Sequence, residues 1–258
     1  MQAASSYTVV AGHRLECVDH PAHQINRPPL VFLHEGLGSV SLWRDFPGRV
    51  AAATGARTLV FSRRGYGQSD PLEGGFEPDY MHREALEVLP ALLSSLDIQR
   101  PVLIGHSDGG SIALIHAGAG RDPLAGVITL AAHVFVEDLS IASIAAAKRA
   151  FESTDLPQKL SRHHRDVERT FWNWNRIWLD PRFRAWNIEG YLATIACPVL
   201  VIQGEDDEYG TLKQVEAIAS GVADARQLLL PDCRHSPHKD QPEATLAAIV
   251  EFVDTLSA

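Results

Sequence analysis

Short, nearly continuous apolar runs alternate with amphipathic stretches along this chain. Leu30–Leu33, Thr58–Phe61, Val102–Ile104, Val127–Leu130, Val199–Ile202 and Gln227–Leu230 are rich in Val, Ile and Leu. Strands buried on both faces read this way, and parallel sheets are made of them. Tyr7–Val10 and Arg14–Val18, split by Ala11-Gly12, predict an opening hairpin. Between the apolar runs the pattern predicts helices over Leu42–Ala53, Tyr80–Leu96, Gly110–Ala119, Thr211–Ala219 and Pro242–Leu256. Within Tyr80–Leu96, the residues Ala85, Leu86, Leu89, Leu92, Leu93 and Leu96 recur every three or four positions and share one face. Strand alternating with helix predicts an α/β class: a mostly parallel central sheet flanked by helices on both sides.

The alternation breaks once. No strand pattern recurs from Val136 to Leu192, where an Ala-rich helix (Ile141–Phe151), a polar segment (Ser161–Arg169) and four of the five Trp lie. So long an insertion between two strands is no simple loop and predicts a helical cap or lid. The expected organisation is a core of 1–135 and 193–258 with a cap of 136–192.

The 258 residues, 45% hydrophobic and 21% charged, fit a globular fold and exclude disordered, collagen-like and coiled-coil classes. The net charge of −9 argues against nucleic acid or an anionic membrane as the main partner. A small-molecule substrate remains, and the oligomeric state is left open. Cys17, Cys197 and Cys233 are scattered without a C-x-x-C spacing, so neither a disulfide framework nor a structural zinc site is expected. With neither a signal-peptide pattern nor a membrane-length apolar run, a cytoplasmic setting is expected.

Chemistry concentrates where strands end. Val102-Leu-Ile-Gly-His-Ser-Asp-Gly-Gly110 places Gly-x-Ser-x-Gly between a strand and a helix. A serine on that sharp corner projects its hydroxyl above the sheet, and the flanking glycines make room for the turn. Ser107 is therefore the candidate nucleophile. A serine needs a base, and the base an orienting acid. Val199–Ile202 runs into Gly204 and the acidic cluster Glu205-Asp-Asp-Glu208, in which Asp207 leads as acid and Asp206 follows. Glu205 and Glu208 are expected to be solvated. Past Gln227–Leu230 comes Asp232-Cys-Arg-His-Ser-Pro-His238, in which His235 is the candidate base. His238 is the rival, expected to face solvent at the start of the last helix.

These motifs together resemble the α/β-hydrolase superfamily, through nearly the whole chain. Leu33-His-Glu-Gly-Leu-Gly-Ser39 is similar to its His-Gly loop, with Glu35 where glycine is usual. Ser62-Arg-Arg-Gly-Tyr-Gly-Gln-Ser-Asp70 is similar to its Arg-Gly-x-Gly-x-Ser turn. Gly105–Gly109 is similar to its nucleophile elbow, Gly204-x-x-Asp207 to its acid turn and His235-Ser-Pro-His238 to its histidine loop. The resemblance implies the α/β-hydrolase fold with a helical cap, no cofactor, and an oxyanion hole from the backbone N–H groups of Gly36 and Asp108. Glu35, so near a developing oxyanion, should point away or pair with Arg63 or Arg64. His34 is expected to brace the loop by hydrogen bonding.

The substrate reading is less direct. Ser107-Asp-Gly-Gly110 resembles the valacyclovirase-like (biphenyl-hydrolase-like) group, in which a carboxylate beside the nucleophile suits an amino-acid ester. Asp108 either plays that part or simply opens its helix, where negative charge is favourable. Glu35, Asp108, Trp172 and Trp178 are the candidates for touching substrate. The cap aromatics, with Trp174, Trp186, Phe151, Phe171 and the pair His163-His164, either roof an aromatic or hydrophobic pocket or merely anchor the cap. Arg182 and Arg184 are expected on a solvated face. No His, Cys or carboxylate spacing here predicts a metal site. The expected activity is carboxylic ester hydrolysis through an acyl-enzyme. Carbon–carbon bond hydrolysis of the meta-cleavage type and a non-catalytic binding descendant are the alternatives.

Overall fold

A computed structural model describes residues 5–256. Every predicted apolar run in these residues is a strand. β1 (Ser6–Val10), β2 (His13–His20), β3 (Leu30–Leu33), β4 (Thr58–Phe61), β5 (Val102–His106), β6 (Gly126–Leu130), β7 (Val199–Gly204) and β8 (Ala225–Leu230) form one sheet. Its order is β1-β2-β4-β3-β5-β6-β7-β8. The opening hairpin turns at Ala11-Gly12, both with positive φ, and adds β1 and β2 antiparallel to the rest. From β4 through β8 every pairing is parallel.

The pleat divides the strands' apolar residues between two cores. Val31, Leu33, Leu59, Phe61 and Leu103 join the core on one face, while Leu30, Phe32, Val60, Val102 and Ile104 join the other. The second face is closed by helices Phe46–Thr54 and Pro242–Thr255 through Phe46, Val50, Ile249 and Phe252. The first is closed by the Tyr80–Arg83 and Leu89–Ser95 segments and by helices Asp108–Ala119 and Leu212–Gly221. β8 departs from the expectation of a buried strand. It lies at the edge of the sheet, and Arg226 and Gln227 are exposed.

Between β6 and β7 the chain forms helices Asp138–Ser153, Leu156–Leu160 and Val167–Leu179, then 3-10 turns at Pro181–Ala185 and Glu189–Thr194. The polar segment after Ser161 ends in a helix start, where the Asp166 carboxylate accepts the Arg169 N–H. A bridge between Phe135 and Asn187 draws the two ends of the insertion together. Phe151 stacks on Phe171 at 3.8 Å, and Phe183 stacks on Trp186 at 5.4 Å. Phe171, Trp174, Trp178 and Phe183 belong to the same apolar cluster as one face of the sheet, so the cap shares the main core.

Helix Asp108–Ala119 is buried along almost its whole length, pressed against the carboxyl ends of β3 and β5. That approach requires glycine. A Cβ on Gly105 would strike the Gly109 carbonyl, and one on Gly109 would strike the carbonyls of Leu33 and His34. Gly109→Ala should therefore destabilise the fold by about 1–3 kcal/mol through overpacking against unyielding backbone. Gly190→Ala, with open space around it, is the control. Thermal melts of both variants test this, and an unchanged melting temperature for Gly109→Ala would contradict it.

Candidate active site

Ser107 sits at the corner between β5 and helix Asp108–Ala119, with φ 52° and ψ −119°. A residue other than glycine avoids this region unless its surroundings impose it. Here they do: the Ser107 N–H donates to the Leu130 carbonyl at 2.9 Å, and the Gly110 N–H donates back to the Ser107 carbonyl at 2.8 Å. The corner lifts the hydroxyl off the carboxyl edge of the sheet, where ligands of open α/β folds bind.

Three side chains remote in sequence meet above that edge. The Ser107 Oγ lies 3.0 Å from His235 Nε2, and His235 Nδ1 lies 2.8 Å from Asp207 Oδ1. Asp207 Oδ1 also accepts the N–H groups of Tyr209 at 2.8 Å and Gly210 at 3.3 Å. Burial would raise the Asp207 carboxyl, but the His235 imidazole and the Tyr209 N–H outweigh it and hold the group below the usual carboxylate range. An ionised Asp207 dictates the tautomer: Nδ1 donates to it, leaving the Nε2 lone pair for the serine proton. Asp207 rather than Asp206 is the carboxylate that bonds His235. Glu208, expected to be solvated, instead accepts the His235 N–H at 3.1 Å, pairs with Arg234 and lines the cleft.

The loop after β3 is braced from several sides. His34 Nδ1–H donates to the Glu35 carbonyl at 2.7 Å, and His34 Nε2 accepts the Arg63 N–H at 3.0 Å, the bracing part foreseen for it. Arg63, only 1% exposed, donates from Nη2 to the Glu35 carbonyl at 3.0 Å. From the cap, His164 accepts the Gly67 N–H and donates to the Leu37 carbonyl. The Glu35 carboxylate pairs with neither Arg63 nor Arg64. It lies 3.7 Å from Lys239 and 3.4 Å from His106 Nδ1, because its side chain folds over Gly38 toward the histidine loop. Desolvation would raise this carboxyl, yet Lys239 and His106 hold it well below the carboxylate range. His106 Nε2–H in turn donates to the His235 carbonyl at 2.7 Å. Glu35 thus joins the residue before Ser107 to the loop that carries His235. His238 does not face solvent. It is 4% exposed, its ring 4.6 Å from that of Trp43 and 5.7 Å from that of Phe46, and burial keeps it neutral.

Gly36 and Asp108 both line the cleft beside Ser107. As the first residue of its helix, Asp108 has an N–H without an intrahelical acceptor. Its carboxylate is 1% exposed, accepts from Tyr80 Oη at 2.7 Å and lies 3.7 Å from Arg63. Burial raises this carboxyl against the opposing pull of Arg63 and Tyr80. Trp178 Nε1 is close enough to favour the Asp108 anion yet short of a hydrogen bond.

The cleft holds about 200 Å³. Its walls include Leu37, Ile144, Trp174 and Trp178. Trp174 is seated directly on Gly36, where any Cβ would collide with the indole. Trp172 is absent from the cleft. On a helix it lies two residues from Trp174 and so faces elsewhere, packed on Phe171 and Phe151 with its Nε1–H donating to Glu168. His163 bonds Ser41, and Trp186 is stacked within the cap. Arg182 and Arg184 are exposed and paired with Asp180, Glu77 and Asp138. Among the described residues no group of three or more His, Cys, Asp or Glu is placed to hold a metal ion. No helix among them is long and apolar enough to cross a membrane.

Among the residues of this site that sequence reasoning missed are His106, His133, Tyr209 and Lys239. A signal existed for His133, three residues beyond a predicted parallel strand and so at the carboxyl edge. It lines the cleft, and burial, with the nearby His235, lowers its imidazole to about 4.

Burial likewise depresses His34, His164 and His238. The unfolded chain takes up protons at these positions below pH ~6.5 while the folded chain does not, so their stabilisation is complete above that pH and is lost on acidification. Asp207 and Glu35, also depressed, extend the loss below the ordinary carboxylate range. The melting temperature should be level from about pH 8 to 7 and fall steadily toward pH 5, each histidine contributing at most ~1.4 kcal/mol per pH unit. Calorimetry across that range checks this, and a flat profile down to pH 5 would refute it.

Known proteins share this architecture. The human serine hydrolase BPHL is 27% identical over 185 residues, 70% of this chain and 63% of its own length, so the chain spans less than two thirds of that relative. The crystal structure of a proline iminopeptidase from Mycobacterium smegmatis superposes with a TM-score of 0.76 at 19% identity, covering 98% of this chain and 99% of the other. An enol-lactonase from Burkholderia xenovorans LB400 superposes at 0.74 with 21% identity, over 96% of this chain and 100% of the other. Residues 30–249 match the Alpha/beta hydrolase family, and the chain belongs to it.

Proposed function

We propose that this protein is a cofactor-independent serine hydrolase that cleaves small carboxylic esters through an acyl-enzyme. One observation carries the reading: the unbroken chain from Ser107 Oγ to His235 Nε2 at 3.0 Å and from His235 Nδ1 to Asp207 Oδ1 at 2.8 Å. Ser107 attacks the ester carbonyl while His235 takes its proton, and Asp207 stabilises the imidazolium that forms. The carbonyl oxygen turns negative between the N–H groups of Gly36 and Asp108, where each donor supplies about 3 kcal/mol of transition-state stabilisation. His235 then protonates the departing alcohol. Water, deprotonated by the same histidine, releases the acid and restores Ser107.

The cleft of about 200 Å³ favours a compact, largely apolar acyl group between Trp174 and Trp178. It lies below the ~300–1,000 Å³ of sites for larger ligands. A neutral ester suits it better than an aminoacyl one, because Arg63 and Tyr80 already hold the Asp108 carboxylate that an ammonium group would seek. The free thiols Cys17, Cys197 and Cys233 accord with a cytoplasmic enzyme.

A fluorophosphonate probe should label the wild type and spare Ser107→Ala. An unlabelled wild type would favour a binding protein instead. Asp207→Asn should lower kcat by about 10⁴-fold by favouring the wrong tautomer of His235, while Asp206→Asn keeps most activity. A panel of p-nitrophenyl esters set against a meta-cleavage diketone separates ester from carbon–carbon hydrolysis. Turnover of the diketone alone would overturn the ester reading.

A further inference from the structure

We propose that His133 forms a hydroxyl-recognising subsite, so that the preferred ester carries a hydroxyl group on its acyl chain close to the scissile carbonyl. The inference rests on the ester-hydrolase reading above and narrows its substrate class.

His133 follows β6 after Ala131, whose φ of 51° redirects the chain over the sheet edge. Its backbone is locked there. The His133 carbonyl accepts from Ser111 Oγ at 2.6 Å, and the next N–H, of Val134, donates to Gln214 Oε1 at 2.8 Å. The ring stands edge-on to Trp178 at 5.2 Å and lies 5.8 Å from the His235 ring. A group on the substrate beside Ser107 therefore comes within its reach.

The ring is 2% exposed, and its Nδ1 is buried without a partner. No described residue hydrogen-bonds either ring nitrogen. The buried rings of His34, His106, His116 and His164 differ: each bonds backbone through at least one nitrogen. His238 shares the lack but sits among Trp43, Phe46 and His106, away from the cleft. Nδ1 is packed on the side of Gly210, so Nε2, which has no partner among the described residues, is the nitrogen left for a group that fills the cleft His133 lines, and buried polar groups in native proteins nearly always find partners.

The class of ligand follows from the ring's chemistry. Burial keeps the imidazole neutral, lowered to about 4, so it has no charge with which to hold a carboxylate or phosphate. A neutral imidazole offers one donor and one acceptor, and a hydroxyl can answer either, whichever tautomer is present. The surrounding Ile144, Trp174 and Trp178 accept the rest of a short carbon chain.

The test compares p-nitrophenyl butyrate with p-nitrophenyl 2-hydroxybutyrate and 3-hydroxybutyrate. Wild type should favour one of the hydroxylated esters. His133→Phe should lower the preference for that ester over butyrate, read as the ratio of the two kcat/KM values, by about 10–100-fold, the discrimination expected when one buried hydrogen bond is lost. Its melting temperature should not fall, since an unpaired polar group has been replaced by an apolar ring. His133→Leu serves if the Phe variant does not fold, and His133→Gln should restore part of the preference. Equal losses on all three esters, or a wild type indifferent to the hydroxyl, would overturn the subsite. Fluorophosphonate labelling of the wild type, absent in Ser107→Ala, separates that failure from failure of the hydrolase reading.

Discussion

The molecule turns on one steric constraint: the helix that begins at Asp108 must press against the ends of β3 and β5 while Ser107 is held in a backbone region that side chains avoid. Gly105 and Gly109 permit the approach, and the Leu130 carbonyl fixes the corner from the neighbouring strand. With the corner held, Ser107 Oγ has no freedom to retreat into the sheet. Strain of this kind, on the order of 1–3 kcal/mol, persists only where the surroundings over-determine it. The parallel strands on either side, buried on both faces, supply that rigidity.

Charge around the corner is balanced pair by pair. Two carboxylates, Glu35 and Asp108, belong to residues that line the cleft beside Ser107, and each is met by a cation: Lys239 for the first and Arg63 for the second. Uncompensated, either charge would be costly in a low-dielectric cleft. The histidines divide by what burial does to them. Neutral His34 and His164 serve as struts that tie the loop after β3 to Arg63, Gly67 and Leu37. Among the described residues, His235 alone joins a carboxylate to the Ser107 hydroxyl. The cap enters the same arrangement, since Trp174 rests on Gly36 and His164 bonds the loop from above.

Much of this was legible in the chain. Val, Ile and Leu runs located β3 to β7 because burial on both faces leaves little else that they can be, while the Ala11-Gly12 turn marked the hairpin of β1 and β2 and β8 was found although it is half exposed. The Gly-x-Ser-x-Gly corner, the acid three residues past Gly204 and the histidine beyond β8 announced themselves because each follows a predicted strand end. What local pattern missed were partners chosen by packing. Glu35 turned to Lys239 rather than to Arg63 or Arg64. His238 went inside against Trp43, and Glu208 was drawn to the His235 N–H. Trp172 and Trp174 differ by two positions, yet helical pitch sends only the second into the cleft.

The sequence alone therefore determined the layer architecture, the insertion of a cap and the three residues that meet at the sheet edge, because hydrophobic period and motif order are local and survive without coordinates. Only the tertiary structure decided how Glu35 and Asp108 are neutralised, which aromatics wall the cleft, and that His133 stands in it unpaired. Those outcomes depend on the rotation of each helix and on which loops meet above the sheet. Both are set by long-range packing that no single stretch of chain encodes.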